Sequence, residues 1–96
     1  MTHLRTRAVH AGQHPDPASG AIAMPITQST AFAYGSLERG AAIFAGEAEG
    51  YRYGRYGNPT VAALEAKMAD LEGAEAAVAF ASGTAATAAT VLGLLN

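Results

Sequence analysis

An α/β fold preceded by an extended arm is what this sequence predicts, and three observations predict it. The first sixty residues are interrupted by Gly12, Pro15, Asp16, Pro17, Gly20, Pro25, Gly35, Gly40, Gly46 and Gly50, and they hold no long amphipathic repeat. From Thr60 to Glu72, apolar residues recur at helical spacing. A short apolar run, Ala76 to Ala81, then passes through Ser82-Gly83-Thr84 into an alanine-rich helix. Helix, strand, tight turn and helix is the opening of a parallel sheet. We therefore read residues 1–57 as an N-terminal arm that docks on a neighbouring subunit. Residues 58–96 read as the start of an α/β domain that breaks off at Asn96.

Within the arm, one short helix is expected from Leu37 to Ala45. Ser36 is its cap, Gly46 its stop, and Leu37, Ala41 and Phe44 its apolar face. So long a stretch without a core of its own is uncommon inside a compact domain, which is why it reads as an arm. The next helix opens with Asn58 as N-cap and Pro59 at the first helical position. Val61, Leu64, Met68 and Leu71 form its expected core face, Glu65, Lys67 and Asp70 face outward, and Gly73 is the stop. Ala76–Ala81 suits a buried strand. Ala85 to Leu95 runs as a helix into Asn96 without a stop signal.

Composition narrows the classes. The chain has 96 residues, a net charge of -2 and no cysteine. Half of it is apolar, but alanine supplies 24 residues while Leu, Ile, Val and Phe together supply 17, so large core formers are scarce. The low net charge argues against disorder. The chain is expected to lay small-residue faces against further structure. Absence of cysteine excludes a disulfide framework and makes the cytoplasm the expected compartment. Met1 to His14 is basic but has no apolar core, unlike a secretory signal, and no window is long and apolar enough to cross a bilayer. Slight acidity gives no electrostatic reason to expect nucleic acid.

Two segments carry phosphate-binding chemistry. In Tyr51-Arg52-Tyr53-Gly54-Arg55-Tyr56-Gly57, Arg55 can hold a phosphate bidentately and a tyrosine hydroxyl can add a donor. A solvated loop and an aromatic-basic platform for single-stranded nucleic acid are the alternatives. The adjoining Asn58-Pro59-Thr60 helix start favours an ordered clamp. At Ser82-Gly83-Thr84 a strand hands over to a helix, where exposed amides and the helix dipole favour an anion. Taken alone, that turn is also an ordinary helix cap. His3, His10 and His14 lack metal-site spacing. Lys67, the single lysine, lies between Glu65 and Asp70, which disfavour the depressed pKa that a Schiff-base lysine needs. The six glutamates form no paired acid-base site.

Taken in order, Thr6-Arg7-Ala8-Val9-His10-Ala11-Gly12, Ala23-Met24-Pro25-Ile26, Gly50 to Thr60, Leu71-Glu72-Gly73 and Ala81-Ser82-Gly83-Thr84 resemble one family. It is the cystathionine γ-synthase and methionine γ-lyase family, the pyridoxal-phosphate enzymes of Cys/Met metabolism. The resemblance implies the N-terminal part of a type I, aspartate-aminotransferase-like large domain and a chain several times longer. It implies pyridoxal 5'-phosphate as cofactor and a dimer of dimers. Tyr53 and Arg55 match the tyrosine and arginine that reach across a subunit interface to the partner's cofactor phosphate. Gly83 and Thr84 match the turn whose amides hold the phosphate of the chain's own cofactor. Two positions depart from the family: Gly54 stands where serine or threonine is usual, removing a hydroxyl, and Thr84 stands for methionine, which leaves amide donation intact.

The family's Schiff-base lysine, its pyridine-nitrogen aspartate, its ring-stacking tyrosine and its carboxylate-binding arginine all match positions beyond Asn96, so no catalytic residue is assigned. The resemblance implies trans-sulfuration chemistry on a small sulfur amino acid. Gly57-Asn58-Pro59-Thr60 and Ala23-Met24-Pro25-Ile26 lean toward methionine γ-lyase, with elimination to an α-keto acid, ammonia and a thiol. O-acyl-homoserine sulfhydrylase or cystathionine γ-synthase, which perform γ-replacement, is the alternative. A non-catalytic product is the alternative of another class.

Overall fold

The computed structural model describes residues 2–95. Its elements are α1 (Leu4–His10), α2 (Leu37–Ala45), α3 (Pro59–Glu72) and α4 (Gly83–Leu94). Three of the four start on a side-chain cap. The Ser36 hydroxyl accepts from the Arg39 amide, Asn58 from Thr60 and Val61, and Ser82 from Ala85. Gly46 and Gly73 close α2 and α3 in the left-handed conformation, with φ of 76° and 67°, where a side chain would be strained. The expected bounds of α2 and the capped start of α3 are therefore found.

Helix α1 was not expected from the sequence. His3 offers it no side-chain cap and its first turn has no acidic residue. It is held instead by packing on α3. The Arg7 Nε donates to an Asp70 carboxylate oxygen at 2.8 Å, and its Nη2 donates to the Asp70 carbonyl. The Lys67 ammonium donates to the Val9 carbonyl at 3.2 Å. Just beyond α1, Gly12 lies directly on the α3 backbone: a Cβ there would meet the Ala63 carbonyl oxygen at 2.5 Å and the Lys67 amide at 2.7 Å.

That contact corrects the expected orientation of α3. Lys67, read as outward-facing, is half-buried and bonded to the arm, Asp70 stays exposed while pairing with Arg7, and Glu65 accepts the Ala79 amide at 2.8 Å. Leu64 and Met68, read as core, are 52% and 41% exposed. The reason lies in the alanines. Ala62, Ala63, Ala66 and Ala69 give the other flank a low profile that a backbone can approach closely, and Ala69 is the buried residue of α3. Helix α2 is likewise rotated. Leu37 and Phe44 are exposed, and Gly40 and Ile43 are buried beneath Tyr34 and Gly50.

The expected buried strand at Ala76–Ala81 does not form a ladder. Among the described residues the only β pairing is an isolated antiparallel bridge between Ala31 and Tyr53, and Val78 is 71% exposed. Among the described residues the segment has no neighbouring strand to satisfy its backbone groups, and a parallel strand forms only with one. Helix α4 has no buried residue and is apolar all round, the pattern of a helix enclosed in a larger core. The accessible surface is 7608 Å², against about 5,100 Å² for a compact monomer of this mass. The radius of gyration is 15.7 Å, against about 12.5 Å for a compact domain of this length. Ile43 and Ala69 are the only buried apolar side chains among the described residues, so most apolar surface lies bare. No described helix is long and apolar enough to cross a membrane.

Candidate phosphate-binding segments

The Tyr51–Gly57 loop is fixed at both ends. At its C-terminal end, the Asn58 side chain caps α3 through the Thr60 amide at 2.8 Å and donates through Nδ2 to the Thr27 carbonyl at 2.9 Å. Thr60 Oγ1 accepts the Thr27 amide at 2.8 Å and donates to the Pro25 carbonyl at 3.2 Å. The arm segment around Pro25–Thr27 is thus tied to the first turn of α3. Upstream, the Gly54 amide donates to the Thr30 carbonyl at 2.7 Å beside the Ala31–Tyr53 bridge. The Tyr53 carbonyl accepts the Tyr56 and Gly57 amides at 2.9 and 3.2 Å, which closes a turn over Gly54 and Arg55.

That turn presents Arg55 to solvent. Its guanidinium carbon lies 5.2 Å from the Tyr53 ring centroid and 5.5 Å from that of Tyr56. Among the described residues no carboxylate pairs with it, because the one ion pair joins Arg7 to Asp70. Arg55 therefore keeps its donors available to an external anion. A Cβ on Gly54 would sit at ordinary contact distance, 3.4 Å from the Thr30 Cα, so a serine there would be accommodated and its absence is not forced by crowding.

The second segment opens α4. Ser82 is extended (φ -153°, ψ 159°), and its hydroxyl oxygen accepts the Ala85 amide at 3.1 Å. The Ala86 amide is taken by the Ser82 carbonyl. The Gly83 and Thr84 amides have no acceptor among the described residues, and nothing lies within 4 Å of where a Gly83 Cβ would be. Two free amides and an open approach at a helix N-terminus fit the phosphate of pyridoxal 5'-phosphate. Arg55 with the Tyr53 hydroxyl fits the same group.

The four residues singled out in the sequence form two separate places. No hydrogen bond, ion pair or ring contact joins the Tyr51–Gly57 loop to the Ser82–Thr84 turn among the described residues. A cleft of about 460 Å³ between the arm and α3, lined by Gly12, His14, Asp16, Met24, Tyr51 and Ala63, includes none of the four. His3, His10 and His14 are exposed, and no group of three metal-ligating side chains occurs among the described residues. Sequence reasoning missed the stacking around Arg55: the Arg52 guanidinium lies over the rings of Phe44, at 5.3 Å, and Tyr56, at 4.7 Å. The alternation of arginine and tyrosine through residues 51–56 was the available signal, but the Phe44 partner comes from another element.

Known proteins give these segments a context. The family described as Cys/Met metabolism PLP-dependent enzyme matches residues 5–96. The chain is 48% identical over 91 residues to an L-methionine gamma-lyase of Pseudomonas putida, covering 95% of this chain and 23% of the relative. It is 51% identical over 91 residues to an O-acetyl-L-homoserine sulfhydrylase of Corynebacterium glutamicum, covering 95% and 21%. Among solved structures, metB from Corynebacterium glutamicum superposes with a TM-score of 0.86 at 40% identity, over the whole chain and 23% of that structure. A Campylobacter jejuni protein assigned as an O-acetylhomoserine (thiol)-lyase, which contains N'-pyridoxyl-lysine-5'-monophosphate, gives 0.88 at 32% identity over 96% of this chain and 23% of that structure. The fold is thus the opening of the large domain that these enzymes share, and the chain spans less than a quarter of their length. The chain belongs to the pyridoxal-phosphate-dependent enzyme family of Cys/Met metabolism.

Proposed function

We propose that this chain supplies the phosphate-binding arm and turn of an enzyme that acts on sulfur amino acids, most like a methionine γ-lyase. The observation that carries the reading is the pair of unpartnered amides at Gly83 and Thr84, where α4 opens. They would hold the phosphate of the chain's own cofactor, and the Tyr53 hydroxyl and Arg55 guanidinium would reach the phosphate bound by an adjoining protomer. Such an arrangement requires at least a pair of protomers; the family resemblance favours a dimer of dimers, with residues 1–57 acting as the docking arm. The large bare apolar surface supports further contacts of this kind. When bound, pyridoxal phosphate supplies an electron sink for a carbanion at the substrate amino acid. The residues here make or break no bond: two amides and one guanidinium neutralise and orient the phosphate, which fixes the ring relative to substrate.

Replacing Gly83 by proline tests the amide directly. Gly83 is the first residue of α4 and Ser82 before it is extended, the setting in which proline is accepted. The helix should remain while one donor disappears. In the full-length holoenzyme we expect cofactor affinity to fall roughly 10- to 100-fold, the worth of a hydrogen bond to a charged group, with an unchanged thermal midpoint of the apoprotein. Unaltered affinity would remove the turn from the site. Lyase chemistry predicts α-keto acid, ammonia and thiol from methionine with no second substrate. A γ-replacement enzyme, the sulfhydrylase or cystathionine γ-synthase alternative, would instead need an added thiol and an O-acyl-homoserine.

A second reading concerns the 96 residues taken alone. Lys67, the single lysine, is engaged with the Val9 carbonyl at 3.2 Å, which favours a structural role. On this reading the chain alone is non-catalytic and at most docks on full-length subunits, and methionine incubated with it yields no ammonia.

A further inference from the structure

Arg55 does not stand alone on its turn. The guanidinium of Arg52 lies 5.3 Å from the Phe44 ring centroid and 4.7 Å from that of Tyr56. The same Tyr56 ring is 5.5 Å from the Arg55 guanidinium carbon, which is also 5.2 Å from the Tyr53 ring. Phe44 in turn meets Tyr34 edge-on at 5.8 Å, with an interplanar angle of 80°. Cations and rings therefore alternate in a continuous ladder, Phe44–Arg52–Tyr56–Arg55–Tyr53, running from α2 to the phosphate-binding turn.

An arginine on an exposed loop ordinarily samples many rotamers, and ordering its side chain on binding carries an entropic cost. Rings on which the guanidinium rests reduce that cost beforehand. A ring is not a hydrogen-bond acceptor of carboxylate strength, so such contacts leave the N–H donors of the guanidinium to an anion. Two arginines three residues apart would also repel each other in isolation. The shared Tyr56 ring gives each an attractive contact in place of a carboxylate, which would compete with phosphate for the same donors. Arg52 is half-buried whereas Arg55 is exposed, consistent with one arginine anchoring and the other binding.

We propose that Arg52 and Tyr56 are positioning residues that use Phe44 of α2 to hold the Arg55 guanidinium ready for the phosphate. The inference rests on the phosphate-binding reading of Arg55, and its test separates the two. In the full-length holoenzyme, cofactor affinity is measured by equilibrium dialysis, and the environment of the bound phosphate is followed by its phosphorus NMR resonance. Four variants are compared: Arg55→Ala, Tyr56→Leu, Tyr56→Phe and Arg52→Gln.

Arg55→Ala should weaken cofactor binding most. Tyr56→Leu and Arg52→Gln should each weaken it roughly two- to tenfold, the range expected when one or two exposed cation–π contacts are lost. Both should broaden or shift the phosphorus resonance as Arg55 becomes mobile. Tyr56→Phe, which keeps the ring and loses only the hydroxyl, should match the wild type in both measurements. Combining Arg52→Gln with Tyr56→Leu should cost no more than the larger single loss, because the two act through one ladder. If Arg55→Ala weakens binding but Tyr56→Leu and Arg52→Gln leave affinity and resonance unchanged, the positioning role is overturned and the phosphate reading survives. If Tyr56→Phe is as weak as Tyr56→Leu, the hydroxyl is the working group and the ladder is overturned. If Arg55→Ala itself changes nothing, the phosphate reading and the ladder both fall.

Discussion

Gly12 rests on the backbone of α3 at Ala63, so closely that an added Cβ would lie 2.5 Å from the Ala63 carbonyl oxygen. Its φ of 71° places it in the left-handed region as well. Both features are needed where the chain leaves α1, because α1 is held to α3 by Arg7 and Lys67 and must continue across the helix without lifting away. Gly12→Ala would violate both at once. We expect it to destabilise the docked arm by about 2–3 kcal/mol, from positive-φ strain together with a backbone clash that no rotamer relieves. The check is amide hydrogen exchange: protection in α1 should be lost while that in α2 is retained. Equal protection in the variant would mean that the arm docks without needing this close approach.

Asn58 joins two jobs in one side chain. Its Oδ1 caps α3 through the Thr60 amide, and its Nδ2 secures the Thr27 carbonyl of the arm. Asn58→Ala should cost about 1–2 kcal/mol, a typical lost cap plus a part-buried carbonyl left without its donor. Asn58→Asp separates the two contributions. The carboxylate still accepts from the first-turn amides and is favoured by the helix dipole, but it cannot donate to Thr27. Helix α3 should therefore keep its exchange protection in the aspartate variant while the Pro25–Thr27 segment loses its own. If both variants behave alike, the arm contact contributes nothing beyond the cap.

These two contacts also show what the sequence made legible. The caps at Ser36, Asn58 and Ser82, and the stops at Gly46 and Gly73, act over three or four residues, so a local pattern identifies them. The two candidate phosphate-binding segments stand out for the same reason, since each adjoins a capped helix start. Helix α1 has no cap and exists through contacts with Lys67 and Asp70, some sixty residues away in the chain, to which no local pattern points. Local pattern does not mark the covered faces of α2 and α3, because alanine and glycine give no sign of which flank is covered, whereas Leu64, Met68 and Leu37 have side chains suited to a burial that the chain by itself does not provide. The strand at Ala76–Ala81 has the right composition, but a ladder is a property of two segments. The Phe44–Arg52 stack was hidden likewise: its halves lie on different elements.

Asp16 gives the arm a pH dependence with a definite sign. Its carboxylate accepts the Ser19 hydroxyl at 2.6 Å and the Ser19 amide at 2.8 Å, and the Asp16 carbonyl and amide close the turn with Gly20 and Ala21. The Ser19 hydroxyl, followed by the Ser19 amide, stabilises the charged form and holds the Asp16 pKa below its ordinary value. A depressed folded-state pKa means that the unfolded turn binds the proton more readily. The stabilisation is thus complete above the ordinary carboxylate pKa and is lost as pH falls through the lower, folded-state value. Acidification into that window should loosen residues 16–21 before the helices respond. The measurement is the Asp16 side-chain carbonyl resonance followed through a pH titration, compared with Ser19→Ala. The substitution should move the Asp16 midpoint up toward the ordinary range and flatten the pH dependence of exchange at the Gly20 and Asp16 amides, which donate to the Asp16 and Ala21 carbonyls. A midpoint that stays put in Ser19→Ala would show that the turn geometry alone, and not the serine, holds the carboxylate in its charged form.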